Sequence, residues 1–293
     1  MEQIVGAINP ISFQIGPLQV RWYGVIIGIA MYMAAWLSSR EAEKRGIKED
    51  TIADLTMWVI PVGLIGARLY YVLFELDYYL QNPSDILAIW EGGIAIYGGL
   101  IAGFFTVVWF SRKRETPLGL MLDVLAPSVL LAQAIGRWGN FMNQEAHGRE
   151  VSRQFLENLA LPEFLINQME IGGVYYHPTF LYESLWSILG VAVLLLLRNR
   201  EHVLRRGEVA LSYVLWYSFG RFFIEGMRTD SLYLGGTGIR ISQVVSLLLF
   251  VGAVILFLYR RANIYPPLPY YAEGMQPEVR MRKRQQAKVK TTQ

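Results

Sequence analysis

Seven apolar runs recur along the chain, at 22–37, 52–74, 93–110, 121–135, 179–197, 208–224 and 239–259. Most are close to the ~20 residues a helix needs to cross a hydrocarbon layer, where every backbone polar group must be satisfied within its own segment. The fourth run is the shortest. With 53% hydrophobic residues against 17% charged, the chain has the balance of a polytopic membrane protein and not of a soluble domain. The expected fold is all-α: an integral membrane bundle of about seven transmembrane helices over residues 1–262, with a small external cap at about 138–178. A basic cytoplasmic tail, expected to be disordered, would occupy 263–293. The cap region contains Leu161-Pro162 and Gly172-Gly173, so little regular structure is expected there.

Orientation follows from the basic residues. If the first helix starts outside, the stretches 40–51, 112–120, 198–206 and 260–293 are cytoplasmic and hold 19 Lys and Arg, against 3 in the external stretches. The positive-inside rule then puts the amino terminus outside and the carboxyl terminus inside. Residues 1–20 lack a positive n-region and the first apolar run lacks a small-residue cleavage site, so no cleaved signal peptide is expected. The chain has no cysteine, which excludes disulfides, thiolate metal sites and a cysteine nucleophile.

Five arginines fall within or at the edge of apolar runs: Arg21, Arg68, Arg137, Arg221 and Arg240. Ionisable groups at membrane depth are costly and mark functional sites by default. The densest cluster is Gly136-Arg-Trp-Gly-Asn-Phe-Met-Asn-Gln-Glu-Ala-His-Gly148, which sets Arg137, Asn140, Asn143 and Glu145 where the fourth apolar run stops. In the sixth segment Tyr217, Arg221 and Glu225 are four apart and share one helix face, with Arg228 about a turn further outward. Arg137 and Arg221 are thus expected to converge near the outer leaflet. A pair of guanidinium forks there suits a phosphate group; the competing structural reading pairs Arg221 with Glu225 and Arg137 with Glu145.

Further polar positions suggest a wet cavity. Arg21-Trp-Tyr-Gly24 opens the first helix, with Tyr23 beside a glycine, and Glu91-Gly-Gly-Ile-Ala-Ile-Tyr-Gly-Gly-Leu100 surrounds Tyr97 with four glycines that serve either helix packing or an irregular cavity wall. Arg68 and Glu183 are expected to form an internal pair, and His177 to cap the fifth helix.

Taken in order, Arg-Trp-Tyr-Gly, Gly-Ala-Arg-Leu, the paired glycines about Tyr97, the 136–148 motif, His177-Pro-x-x-x-Tyr-Glu183 and Gly220-Arg-Phe-x-x-Glu-x-x-Arg228 resemble the bacterial prolipoprotein diacylglyceryl transferases, over nearly all of 21–260. The resemblance implies a multi-pass enzyme of the bacterial cytoplasmic membrane, its site toward the external face. Such an enzyme moves the diacylglyceryl group of phosphatidylglycerol onto the lipobox cysteine of a preprolipoprotein. It also implies activity or lipid-binding roles for Tyr23, Arg137, Asn140, Glu145, Gly148, Tyr217, Arg221 and Glu225. Asn143, Arg228 and Arg68 complete the expected substrate contacts, and Gly148 is expected to admit lipid or substrate backbone closely. Some relatives carry histidine where this chain has Tyr97, so arginine-assisted deprotonation of the thiol is expected, with Glu145 or Glu225 as candidate base and Tyr97 as a hydrogen-bonding positioner. Expected partners are phosphatidylglycerol, lipobox signal peptides and membrane lipids, with no nucleic acid, metal or organic cofactor. The rival class is an anionic-lipid transporter, which would want polar residues reaching the cytoplasmic side and often a repeated half; neither is evident.

Overall fold

The structure, a computed structural model, describes residues 8–16, 18–234, 237–263 and 269–273. Its long helices are α1 (Trp22–Lys44), α2 (Thr51–Phe74), α3 (Ile96–Lys113), α4 (Leu118–Met142), α5 (Thr179–Arg198), α6 (Glu208–Glu225) and α7 (Ile241–Asn263). Five of them, α1, α2, α4, α5 and α7, are long and apolar enough to cross a membrane. The other two are 18 residues each: α3 ends in Arg112 and Lys113, and α6 carries Glu208, Arg221 and Glu225. The fold is mostly helical, with two small antiparallel sheets that apolar periodicity did not announce.

The chain divides into two compact units, one built from the described residues of 38–124 and 273, the other from those of 8–37 and 125–272. In the first, α2 and α3 meet at a glycine contact. A Cβ on Gly98 would lie 2.3 Å from the Gly66 carbonyl oxygen and from Tyr70 Cβ, so the backbones approach more closely than any side chain permits. Of the two readings of the glycines around Tyr97, packing accounts for Gly98. Gly98→Ala should therefore cost about 1–3 kcal/mol through overpacking. Gly103→Ala, whose Cβ would meet nothing nearer than 3.7 Å, should leave the thermal midpoint in detergent unchanged. Equal midpoints for the two variants would refute the close contact.

In the second unit a hairpin of β1 (Ile11–Ile15) and β2 (Leu18–Arg21) leads into α1. Helix α4 runs past the apolar stretch to Met142, further than its glycines and polar residues suggest from sequence. Tertiary partners explain the extension: Trp138 Nε1 donates to Ser184 Oγ at 3.2 Å, and Arg137 reaches a carboxylate on α5. Asn140 and Phe141 thereby stand on the helical face of Arg137 instead of in a loop.

The region expected to form an external cap is more regular than expected. Strands β3 (Glu150–Val151), β4 (Glu170–Ile171) and β5 (Val174–Tyr176) form a sheet in the order β3-β5-β4, with short helices at Arg153–Asn158 and Glu163–Gln168. Leu156, Leu165, Ile166 and Met169 from the cap bury themselves against Phe141 and Phe180 at the ends of α4 and α5. Gln168, 1% exposed, donates to the Phe141 carbonyl at 3.1 Å and accepts the Ile8 amide at 2.7 Å. A core of this kind fixes the cap onto the helices that carry Arg137 and Glu183.

Most of the expected cytoplasmic tail lies outside the described residues. Within it, a 3-10 turn at Tyr271–Glu273 docks at the start of α6: the Tyr271 amide donates to the Leu204 carbonyl at 2.9 Å, and the Tyr271 side chain is fully buried.

Candidate active site

The centre of the site is Glu183, on the second turn of α5 and 6% exposed. Its carboxylate takes Arg137 Nη2 from α4 at 2.6 Å and Arg221 Nη1 from α6 at 3.2 Å, with Arg228 Nη1, just past α6, at 3.6 Å. Arg221 also grips Glu225 at 2.5 Å, one turn along its own helix. Arg228 forms a two-pronged pair with Asp230, at 2.9 and 2.7 Å. Three guanidinium groups from separate segments therefore share one buried carboxylate. Arg240 adds a hydrogen bond to the Arg228 carbonyl at 3.2 Å, so the loop beyond α6 is held as well.

In the loops beside the helices, burial and charge oppose each other. Burial alone would raise the Asp230 carboxyl pKa, but the hydrogen bonds and charge of Arg228 prevail and hold it below the usual carboxylate range. Burial works against the charged form of Arg228 too, and Asp230, Glu183 and Glu225 together outweigh it, keeping that guanidinium protonated. His177 is pushed below its ordinary value by burial, so it stands neutral.

A second chain of contacts runs outward from Arg137. Its Nη1 reaches Asn140 Oδ1 at 3.4 Å, and Asn140 Nδ2 donates to Glu145 Oε1 at 2.9 Å. Asn143 Nδ2 approaches the same oxygen at 3.5 Å, while Asn143 Oδ1 is buried without a hydrogen-bond partner among the described residues. Glu145 sits between Gln144 and Ala146, both with positive φ, 53° and 57°. That conformation is strained for residues with a Cβ and persists only where surroundings impose it. Gln144 Nε2 supplies part of the restraint through the Gln168 and Glu170 carbonyls at 2.9 and 3.1 Å. The loop turns Glu145 outward, and this carboxylate is exposed while Glu225 is 2% exposed.

Two glycines give the site its close approaches. A Cβ on Gly139 would stand 2.8 Å from the Tyr23 ring, so Tyr23 lies against α4 within electrostatic reach of Arg137 and Glu145. Gly148 packs against His177 and Met227: its Cβ would meet His177 Cβ at 2.6 Å, its amide donates to the His177 carbonyl at 3.0 Å, and it bridges to Arg228. Gly148 thus admits the chain's own backbone closely. Beside Arg221 and Tyr217 there is a cavity of ≈ 10 Å³, room for about one water.

Comparison with known proteins bears on what this arrangement serves. Residues 10–259 match the prolipoprotein diacylglyceryl transferase family. The phosphatidylglycerol–prolipoprotein diacylglyceryl transferase of Bacillus velezensis is 57% identical over 90% of this chain and 96% of its own length. The proteins of that name from Lactobacillus acidophilus and Pediococcus pentosaceus are 54% and 53% identical, over 91% and 94% of this chain and 94% and 99% of theirs. The chain belongs to this family.

Within this diacylglyceryl transferase chain, the expected site residues divide between the two units. Tyr23, Arg137, Asn140, Asn143, Glu145, Gly148, Tyr217, Arg221, Glu225 and Arg228 all belong to the unit built around Glu183. Tyr97 and Arg68 belong to the other. Glu183, the partner expected of Arg68, is held by arginines of its own unit. Arg68 instead donates to the carbonyls of Ile86, Gly92 and Gly93 at 3.0, 2.6 and 2.8 Å and to that of Asp85, so its fork is occupied in shaping the loop after α2. Nor does Arg137 pair with Glu145; Asn140 stands between them. His177 does not cap α5 with its side chain, which contacts Tyr182 and Phe155 instead.

Sequence reasoning missed two features of this unit. Asp230 partners Arg228, and a two-residue spacing in a polar loop gives no signal for it. The polar stripe of α6 also extends a turn inward to Tyr213, whose hydroxyl accepts Gln133 Nε2 at 3.0 Å. Counting back by fours, from Tyr217 to Tyr213 and from Arg137 to Gln133, would have found that contact. No group of three or more His, Asp and Glu suited to a metal ion occurs among the described residues.

Proposed function

We propose that this protein transfers the diacylglyceryl group of phosphatidylglycerol to the lipobox cysteine of preprolipoproteins, the first step of bacterial lipoprotein maturation. The observation that carries the reading is the convergence of Arg137, Arg221 and Arg228 on one buried point, in a chain whose relatives bear that enzyme's name. The substrate thiol loses its proton and its sulfur attacks the glycerol carbon next to the phosphate. The carbon–oxygen bond breaks, glycerol phosphate leaves with that electron pair, and a thioether remains. The leaving group gains negative charge as the bond breaks, and preorganised guanidinium groups stabilise that charge most where water is excluded.

Arg137 and Arg221 hold the phosphate, and Tyr217, Asn140, Asn143 and Tyr23 orient headgroup oxygens. Glu145 is the better proton acceptor of the two acids, being exposed with one oxygen free of Asn140, whereas Glu225 is buried against Arg221. A thiol of ordinary pKa, about 8.5, is already a few per cent thiolate near neutrality, so the base has a modest task.

All seven long helices are taken as spans of the bacterial cytoplasmic membrane, since 18 residues of helix reach about 27 Å. Helices α1, α3, α5 and α7 end in basic residues, and the site lies at the opposite, carboxyl-terminal ends of α4 and α6. That alternation supports an external amino terminus and an external site. Purified protein mixed with phosphatidylglycerol and a lipobox peptide should yield a thioether-linked peptide and an equal amount of glycerol phosphate. Lipid movement between leaflets with neither product would establish a transporter instead.

A further inference from the structure

The transfer reaction has no evident use for Glu183, yet this carboxylate holds the place where an anion would sit. It touches three guanidinium groups, its side chain is 7% exposed, and those of Arg137, Arg221 and Arg228 are 21%, 15% and 12% exposed. The charges close: three arginines face Glu183, Glu225 and Asp230. A neutral cluster of this kind does not attract an anionic headgroup by net charge. The cavity that Glu183, Tyr217 and Arg221 line, ≈ 10 Å³, holds about one water and is far too small for a phosphate. A phosphate that reaches Arg137 Nη2 and Arg221 Nη1 together takes over donors now directed at Glu183.

We infer that Glu183 is an internal counter-anion that competes with the lipid phosphate for the arginine cluster, preorganising the forks when the site is empty and driving the phosphate product out after transfer. The inference rests on the phosphatidylglycerol reading above. Its physical logic is exchange of one anion for another. With no anion, three guanidinium groups at membrane depth would repel one another and scatter; with Glu183 they stay aimed at one point. After carbon–oxygen cleavage the bound phosphate is a monoester, more negative than the diester that entered. Unopposed, it would bind more tightly than substrate and hold the enzyme in its product complex. A carboxylate on α5 with three prior claims on the same donors keeps that complex weak. Glu183 is a positioning residue here, since it acts through the arginines.

The test compares wild type, Glu183→Gln and Glu183→Asp as full chains in detergent. Calorimetry reads the dissociation constants for glycerol phosphate and inorganic phosphate, and kinetics reads KM for phosphatidylglycerol and kcat for transfer. Glutamine keeps the shape and removes the charge, so binding of both phosphates should tighten about tenfold, as expected for loss of one competing charge at partly buried contact distance. KM should fall with it, and kcat should fall because product leaves slowly. Aspartate keeps the charge on a shorter arm, so phosphate should bind about threefold more tightly than to wild type. That variant decides the matter if Glu183→Gln fails to fold. A merely structural role predicts the reverse: weaker phosphate binding, a higher KM and a lowered thermal midpoint. Unchanged or weakened phosphate binding in the folded variants overturns the inference. Failure of the function reading shows separately, as phosphate binding with no thioether from wild type.

Discussion

Arg137→Lys should lower kcat/KM for diacylglyceryl transfer about a thousandfold, although it preserves the positive charge. Arg137 uses two branches of its fork on two targets: Nη2 meets Glu183 at 2.6 Å, and Nη1 reaches Asn140 at 3.4 Å. A lysine ammonium is a single strongly hydrated point, and it cannot hold two acceptors in those directions or grip a phosphate in two-pronged fashion. Losing one donor that is aimed at developing negative charge costs on the order of 3–4 kcal/mol of transition-state stabilisation. The substitution also frees Asn140, which hands its other hydrogen bond to Glu145 at 2.9 Å, so the proposed base moves with it. Transfer to a fluorescent lipobox peptide, with phosphatidylglycerol saturating, measures the effect. A Lys variant within tenfold of wild type would show that charge alone suffices and that the fork geometry is incidental.

The same site shows what the chain reveals in one dimension and what it hides. Tyr217, Arg221 and Glu225 were legible because spacing by four is a property of one helix, and the Arg221–Glu225 contact at 2.5 Å follows from it. The apolar runs were legible for a similar reason, since each closes its hydrogen bonds within itself. The grip of Glu183 on Arg137 and Arg221 is hidden because pairing across helices depends on axial register, which no residue spacing states. The outer end of α4 read as a loop because glycines and polar residues there would fray in isolation, and only Ser184 and Glu183 on α5 make helix the better choice. The cap's strands, two or three residues long, are too short for any alternation to register. Arg68 satisfies four carbonyls of an irregular loop, and backbone acceptors are invisible in sequence.

The register that pairs Glu183 with Arg221 is set a turn away, and this leads to the second large effect: Gly220→Ala should unfold the enzyme at a markedly lower temperature and abolish transfer. Helices α5 and α6 carry the same four-residue spacing, Trp186 with Gly190 and Trp216 with Gly220. The indoles stack with centroids 4.3 Å apart and planes 16° apart. Each ring nitrogen donates to the other tryptophan's carbonyl, Trp186 Nε1 to Trp216 at 3.0 Å and Trp216 Nε1 to Trp186 at 2.9 Å. Each indole also lies over the opposing glycine: a Cβ on Gly220 would be 2.1 Å from Trp186 Nε1, and one on Gly190 would be 2.3 Å from Trp216 Nε1. The clasp is reciprocal, so sliding one helix along the other breaks both hydrogen bonds together. A single methyl at Gly220 forces Trp186 aside, adding about 1–3 kcal/mol of overpacking to about 1–3 kcal/mol for a buried donor left without its acceptor. Arg221 is the next residue on α6, and Glu183 lies one turn before Trp186 on α5, so displacing the clasp pulls apart the pair that anchors the arginine cluster. A thermal midpoint in detergent and a transfer assay on Gly220→Ala measure the two consequences. Gly252→Ala on α7, where a Cβ meets nothing within 4 Å, provides the neutral comparison. A Gly220 variant as stable and active as that control would mean that the tryptophans do not set the register.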